Sequence, residues 1–219
     1  MKAILRRARD RYRNSAAYRL AHTKTTKEAI IKGLSTPNPK LHLGCGPKVL
    51  DGWLNIDALY YPGVAVLKLP ADLRQFKSES FNFVYCSHMF EHIDYPDDVH
   101  LLATEIYRLL KPGGAVRMVV PGIERIIRAY VADDKEFFKI QEQHHPASCT
   151  TKLEHLMYAL QQDGQHKYGY DFETATKLFT KAGFIDIRDS AYNASAFPEL
   201  RIDYRGENLS LFVDAVKHA

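Results

Sequence analysis

Short apolar runs alternate with helical patterns through the middle of the chain. The apolar runs have the length of buried strands and cover residues 40–43, 53–56, 64–67, 81–86 and 115–120. Residues 96–110 place Val99, Leu102 and Ile106 on one helical face, and Lys111-Pro112-Gly113-Gly114 ends that helix. This alternation predicts a mostly parallel sheet with helices on both faces.

Two elements are predicted towards the C-terminus. Asp171 as N-cap and Gly183 just past the last turn bound a helix, and a strand at 184–188 follows it. Residues 209–217 alternate apolar and polar positions, which is typical of a strand. The mostly helical stretch at about 122–170 is too long for an ordinary connection. We expect it to form a cap over the carboxyl edge of the sheet, where open α/β folds bind ligands.

Length and composition indicate one domain with an elaboration. The chain has 219 residues, of which 46% are hydrophobic and 26% charged. Residues 21–39 are polar and end at Pro37-Asn38-Pro39, so we expect residues 1–39 to be a basic helical arm and linker and 40–219 the catalytic domain. No apolar run approaches the roughly 20 residues that cross a bilayer, and a cytoplasmic location is expected. Three scattered cysteines suggest neither a zinc site nor a disulfide.

The positive charge is concentrated at the N-terminus. The first twenty residues contain seven basic residues and a single acidic one, Asp10, and apolar residues recur there at helical spacing. Such a helix packs on the domain, lies on an anionic membrane surface or contacts RNA, and these alternatives stay open. Charge in the rest of the chain is nearly balanced, so a nucleic-acid partner is not expected.

A candidate cofactor site follows the first two predicted strands. Leu43-Gly44-Cys45-Gly46 carries two glycines, whose missing Cβ atoms let the backbone approach a ligand closely. The second strand ends at Asp57, a carboxylate able to accept hydrogen bonds from two ribose hydroxyls. A dinucleotide site would need a third glycine and a longer interval to the acid, which disfavours NAD. The alternative is that the two glycines form only a tight turn.

These motifs resemble the ordered motifs of class I methyltransferases that use S-adenosylmethionine (SAM), and most of all the type 11 group, including small predicted enzymes of glycan biosynthesis. The resemblance also rests on Asn55-Ile56-Asp57, Ala71-Asp72-Leu73, Phe81 to His88, Glu91-His92-Ile93 and Leu110 to Gly114. It implies a Rossmann-like, mostly parallel seven-stranded sheet with an antiparallel last strand. One departure is the short loop from Pro47 to Gly52, where many members have a helix.

The resemblance also implies roles for individual residues. The segment from Leu43 through Gly44 and Cys45 to Gly46 would contact the methionine moiety of SAM, and Asp57 the ribose. Asp72 and the Leu73 amide would bind adenine, while Ser87 and His88 would lie near the sulfonium. Asp72 as a helix cap is the alternative.

His88, Glu91 and His92 are the candidate catalytic residues, with either histidine as general base. Methyl transfer from a sulfonium needs a base only when the acceptor must lose a proton. The same His-x-x-Glu-His string occurs in inverted zinc proteases, but here it follows a strand rather than lying within a long helix, so no zinc-protease site is expected and metal binding stays a minor alternative. Purely structural hydrogen bonds of Glu91 and His92 are the other interpretation.

Function is predicted from these residues together. We expect a SAM-dependent methyltransferase that acts on a small-molecule or glycan-like acceptor, by O-methylation. Aromatic and histidine residues in or beside the cap are candidate acceptor contacts, namely His144, His145, His166, Tyr168 and Tyr170. The alternatives are a non-catalytic SAM-binding or partner-binding protein of the same fold and, more distantly, an NAD-dependent oxidoreductase.

Overall fold

The computed structural model describes residues 15–204, 206 and 208–219. Its strands are β1 (Lys40–Leu43), β2 (Leu54–Asp57), β3 (Val64–Val66), β4 (Phe81–Ser87), β5 (Leu110–Pro121), β6 (Ile185–Ser190) and β7 (Ser210–Val216). Its α-helices are α1 (Ala16–Ala21), α2 (Thr23–Leu34), α3 (Asp97–Leu109), α4 (Ile123–Val131), α5 (Lys135–Glu142), α6 (Lys152–Gln161) and α7 (Phe172–Ala182). Short 3-10 turns lie at Ala71–Gln75, Phe90–His92, Gln162–Gly164 and Pro198–Leu200.

All seven strands join one sheet in the order β3-β2-β1-β4-β5-β7-β6. β1 to β5 are parallel, whereas β7 inserts antiparallel between β5 and β6. The predicted class I sheet with its antiparallel last strand is therefore confirmed. The carboxyl ends of β1, β2 and β4 lie at one edge of this sheet, which brings Gly44, Asp57 and His88 to the same side of the molecule.

The main core lies between one face of the sheet and the helices α2, α3 and α7. Leu41, Ile56, Val84 and Met118 contribute fully buried side chains to it from the strands. The ends of α7 are set as predicted, because the Asp171 side chain accepts a hydrogen bond from the Thr174 amide and Gly183 takes a left-handed C-cap.

The second face of the sheet differs from the prediction. A smaller core there includes Trp53, Tyr85 and Phe212, and it is covered by the irregular chain at 191–204 with its single 3-10 turn. Within the described residues, no α-helix contributes to this cluster. Irregular chain therefore takes the place of the expected second helical layer.

The segment at 21–39 is another correction. It was expected to interrupt regular structure, but most of it forms α2, which packs on β2 and β3. The Thr26 hydroxyl accepts a hydrogen bond from the Val66 amide at 3.0 Å, and Gly33 lies directly against Leu54. Residues 1–14, which hold most of the basic arm, lie outside the described residues, so its helix, its membrane contact and the cytoplasmic location stay predictions.

The cap stretch is helical, as predicted, and consists of α4, α5 and α6. These helices share a small core of Ile126, Ala129 and Phe138. α6 begins with a capping box formed by Thr151 and Glu154, whose pKa falls to about 2 because backbone amides at Thr150 and Thr151 donate to the carboxylate. Among the described helices, none has the length and apolarity needed to cross a membrane.

Candidate functional site

The glycine loop follows β1 directly. Gly44 and Gly46 have positive φ angles of 64° and 52°, which L-residues with a Cβ rarely adopt. A β-carbon at Gly44 would lie 2.3 Å from Met89 Cγ, whereas one at Gly46 would meet no atom within 4 Å. Gly44 is therefore required by packing, and Gly46 leaves open space beside the backbone.

The other two residues of this loop point away from that space. Leu43 and Cys45 have buried side chains, and the Cys45 amide donates to the Ile56 carbonyl. Burial, with a smaller effect of the Asp57 charge, raises the pKa of the Cys45 thiol, so the thiol stays protonated. Only the backbone of these residues is placed to contact a ligand.

Asp57, at the end of β2, ties the two strand ends together. One carboxylate oxygen accepts a hydrogen bond from the Gly46 amide and the other from the Leu59 amide, each at 2.8 Å. The side chain is partly exposed. Since each carboxylate oxygen has two lone pairs, both can accept a further hydrogen bond.

The residues expected to bind adenine are arranged differently from the prediction. The Leu73 amide donates to the Pro70 carbonyl within a 3-10 turn, and Leu73 is fully buried. The amide hydrogen is already used within the turn, and an adenine contact of Leu73 stays a prediction. Asp72 is the second residue of this turn, whose N-cap is Pro70, and its carboxylate accepts a hydrogen bond from the Lys68 amide at 2.7 Å.

The end of β4 is the most polar part of the edge. Ser87 is buried, and His88 follows it with a φ of +52°. The Nε2 atom of His88 lies 3.0 Å from the Ser210 hydroxyl, and its Nδ1 lies 3.3 Å from Glu91 Oε1. The next residue, Met89, packs on Gly44. The His88 ring is thus held between a hydroxyl and a carboxylate. Its neighbour in sequence, Met89, contacts the glycine loop.

A cavity of about 360 Å³ lies between this edge and the cap. Its walls include His88 and Ser210 from the sheet, Ile126 from α4, Phe137 and Gln141 from α5, and Tyr158 from α6. The volume and the mixture of apolar and polar groups suit a small molecule.

The histidines and tyrosines proposed as acceptor contacts divide into two groups. His144, His145 and His166 line the cavity. His145 Nδ1 lies 2.9 Å from His155 Nδ1, and burial lowers the pKa of His145 to about 4, so it is neutral at pH 7. Tyr168 instead stacks on Tyr95, and Tyr170 is buried against Phe90. Neither tyrosine lies among the residues that line the cavity.

Glu91 and His92 lie beside the cavity rather than in its wall. The Glu91 side chain is 1% exposed, and its Oε1 is 4.0 Å from His166 Nε2. His92 Nδ1 is 3.0 Å from the Gln165 carbonyl oxygen. The three predicted catalytic residues are therefore close together, but only His88 reaches the cavity.

Ser210 and Gln141 were not singled out in the sequence, although both line the cavity. Ser210 opens β7 and comes 122 residues after its partner His88. Such a pairing depends on the insertion of β7 next to β5, and no local pattern indicates it.

Comparison with known proteins agrees with this arrangement. Residues 55–118 match the family model described as a methyltransferase domain. A SAM-dependent methyltransferase from Archaeoglobus fulgidus has a similar structure, with a TM-score of 0.52 and 15% identity over 91% of this chain and 94% of that one. Residues 55–118 therefore match a methyltransferase domain, and the chain has the fold of a SAM-dependent methyltransferase. These similarities support SAM as the cofactor.

Two other solved structures are more distantly similar to this chain. A possible histamine N-methyltransferase from Thermotoga maritima has a TM-score of 0.47 and 17% identity, over 94% of this chain and 97% of that one. Phosphoethanolamine N-methyltransferase 2 from Haemonchus contortus, in complex with SAM, has a TM-score of 0.45 and 17% identity over 88% and 52%. No curated protein matches the sequence significantly.

Proposed function

We propose that this methyltransferase methylates an oxygen atom of a small, glycan-like acceptor bound in the cavity under the cap. The observation that carries the proposal is the position of two consecutive residues after β4. His88 lines the cavity, and Met89 packs against Gly44 of the glycine loop. A cofactor on the glycine loop and an acceptor in the cavity would therefore be neighbours, as methyl transfer requires.

The glycine loop and Asp57 are proposed to hold SAM. The space beside Gly46 and the spare lone pairs of Asp57 support this assignment, because they offer room for the amino-acid part and acceptors for the ribose hydroxyls. Asp72 is a weaker candidate, since one of its carboxylate oxygens already accepts a hydrogen bond from the Lys68 amide. When bound, SAM supplies the electrophilic methyl group of a sulfonium.

His88 is proposed as the general base. Its Nε2 faces the cavity and the Ser210 hydroxyl, while its Nδ1 faces the Glu91 carboxylate. A proton on Nδ1 would be favoured by Glu91, and the Nε2 lone pair, which then accepts from the Ser210 hydroxyl, would accept the proton of an acceptor hydroxyl that takes its place. In this role Glu91 orients His88, and His92 takes no direct part.

Calorimetry with SAM, S-adenosylhomocysteine and NAD tests the cofactor assignment. Wild type should bind the first two and not NAD, and Asp57→Asn should weaken binding by about tenfold or more, about 1.4 kcal/mol, because an amide NH₂ replaces one acceptor oxygen. Asp72→Asn is the matched control and should bind SAM almost like wild type. Equal affinities of wild type and Asp57→Asn would contradict the assignment.

A screen of hydroxylated small molecules with methyl-labelled SAM tests the chemistry. With an accepted substrate, His88→Gln should bind S-adenosylhomocysteine normally but turn over about 10²-fold to 10⁴-fold more slowly, which is the usual contribution of a general base. Normal turnover by His88→Gln would show that the base is elsewhere. Transfer only to amines would replace O-methylation by N-methylation.

A further inference from the structure

A buried carboxylate without a well-formed hydrogen bond lies beside the cavity. Neither oxygen of Glu91 accepts a hydrogen bond of normal geometry from the described residues, although its side chain is 1% exposed and its Oε1 lies 3.3 Å from His88 Nδ1. Burying a carboxylate without donors or a cation is strongly unfavourable. The site therefore calls for a positively charged partner.

Two imidazoles near Glu91 have a defined tautomer. His166 Nδ1 is 2.7 Å from the Ala159 carbonyl oxygen, and His92 Nδ1 is 3.0 Å from that of Gln165. A carbonyl only accepts hydrogen bonds, so each Nδ1 carries a proton and donates it. Each neutral ring then keeps its lone pair on Nε2. Backbone carbonyls orient metal-binding histidines in this way in many proteins.

We propose that Glu91, His92 and His166 bind a divalent transition-metal ion of the zinc type. One ligand atom from each residue lies within 4.8 Å of the others. Two imidazole nitrogens and one carboxylate oxygen suit zinc, which keeps a fourth position open in catalytic sites. The 4.0 Å between Glu91 Oε1 and His166 Nε2 has to shorten by roughly 0.5 Å for tetrahedral ligation, which a small side-chain rotation provides.

The placement of the site suggests what the ion does. His166 belongs both to the metal cluster and to the cavity wall, so a bound ion would lie beside the cavity. An acceptor oxygen there would be polarised by the ion. This role rests on the proposed function, whereas metal binding itself does not.

A second cluster provides a matched control. His145, Cys149 and His155 also place ligand atoms within 4.8 Å. There, however, the two Nδ1 atoms lie 2.9 Å apart and satisfy each other through one hydrogen bond. Cys149→Ser removes a ligand from this cluster and leaves the Glu91 cluster intact.

The test uses the full chain, stripped with a chelator and titrated with Zn²⁺ and with Co²⁺. Elemental analysis should find one zinc per wild-type chain, and Co²⁺ should give visible absorption bands typical of a low-coordinate site. His166→Gln and His92→Gln should bind at least about tenfold more weakly. Cys149→Ser should bind like wild type. His92 is the safer position, because its partly exposed side chain can change without disturbing the core.

Absence of metal binding by wild type would overturn the proposal and favour a protonated imidazole as the partner of Glu91. Loss of metal in Cys149→Ser alone would also overturn it, by placing the ion in the other cluster. SAM affinity, measured on the same samples, keeps the two proposals apart. Failure of metal binding with normal SAM binding would leave the proposed function unaffected.

Discussion

Replacing Gly46 by alanine separates two reasons for a glycine at this position. With φ at +52°, alanine would strain the backbone by about 1–2 kcal/mol. A β-carbon there meets no protein atom within 4 Å, so no clash adds to this cost in the free protein. Gly44→Ala is less informative, because its β-carbon would collide with Met89 and destabilise the fold directly.

Cofactor binding should respond much more strongly than stability. If the Gly46 backbone contacts the amino-acid part of SAM, the added methyl group occupies space that the ligand needs. We expect Gly46→Ala to bind S-adenosylhomocysteine at least about tenfold more weakly than wild type, which corresponds to about 1.4 kcal/mol or more. The strain in the free protein does not predict this loss.

Gly113→Ala is the matched control. Gly113 also has a positive φ, of 74°, and open space for a β-carbon, but it lies near the amino end of β5, in the irregular stretch between the paired residues Leu110 and Ala115, at the opposite edge of the sheet. Urea unfolding should show similar losses of stability for both variants, and calorimetry should show weaker binding only for Gly46→Ala. Binding by Gly46→Ala within about twofold of wild type would refute the reasoning. Equal weakening in Gly113→Ala would point to general destabilisation.

Two further predictions concern the polar groups buried on the second face of the sheet. Arg117→Met should lower the free energy of unfolding by about 3–5 kcal/mol, measured by urea denaturation, because it leaves the carboxylates of Asp203 and Asp214 buried without their cation; a loss below about 1 kcal/mol would contradict this. Burial lowers the pKa of His42 to about 4, despite its hydrogen bond to Asn55, so between pH 6.5 and 4 the unfolded chain takes up a proton that the folded chain does not. The contribution of neutral His42 to the free energy of unfolding is fully present above pH 6.5 and should fall by about 3 kcal/mol by pH 4. The His42→Gln variant should show a shallower pH dependence of the urea midpoint.

The sheet was predictable because buried parallel strands are continuous apolar runs. The run at 81–86 became β4 (Phe81–Ser87), and the run at 40–43 became β1 without change. The ends of α7 were predictable for a local reason, since Asp171 and Gly183 act on the backbone of their own helix.

The helix α2 was missed because its reason for being helical is not local. Its threonine-rich start and modest apolar stripe are typical of a boundary. What holds it is distant in sequence, through the hydrogen bond from Val66 to Thr26 and the close approach of Gly33 to Leu54. Tertiary contacts of this kind override weak local propensity.

The unexpected cover of the second face also explains the part of the candidate site that sequence patterns did not indicate. Arg117, on β5, binds Asp203 through two nitrogens and donates to the Ala191 carbonyl, which fixes both ends of the irregular chain at 191–204. Tyr204, at the end of that chain, lines the cavity, and Ser210 follows at the start of β7, against His88. A buried ion pair on the second face of the sheet therefore positions one wall of the cavity. For this reason a moderate change such as Asp203→Asn should raise the KM for the acceptor more than the Kd for SAM, because the glycine loop and Asp57 lie on the other side of β4. Equal effects on the KM and the Kd would mean that the irregular segment supports the sheet edge as a whole and not the acceptor wall alone.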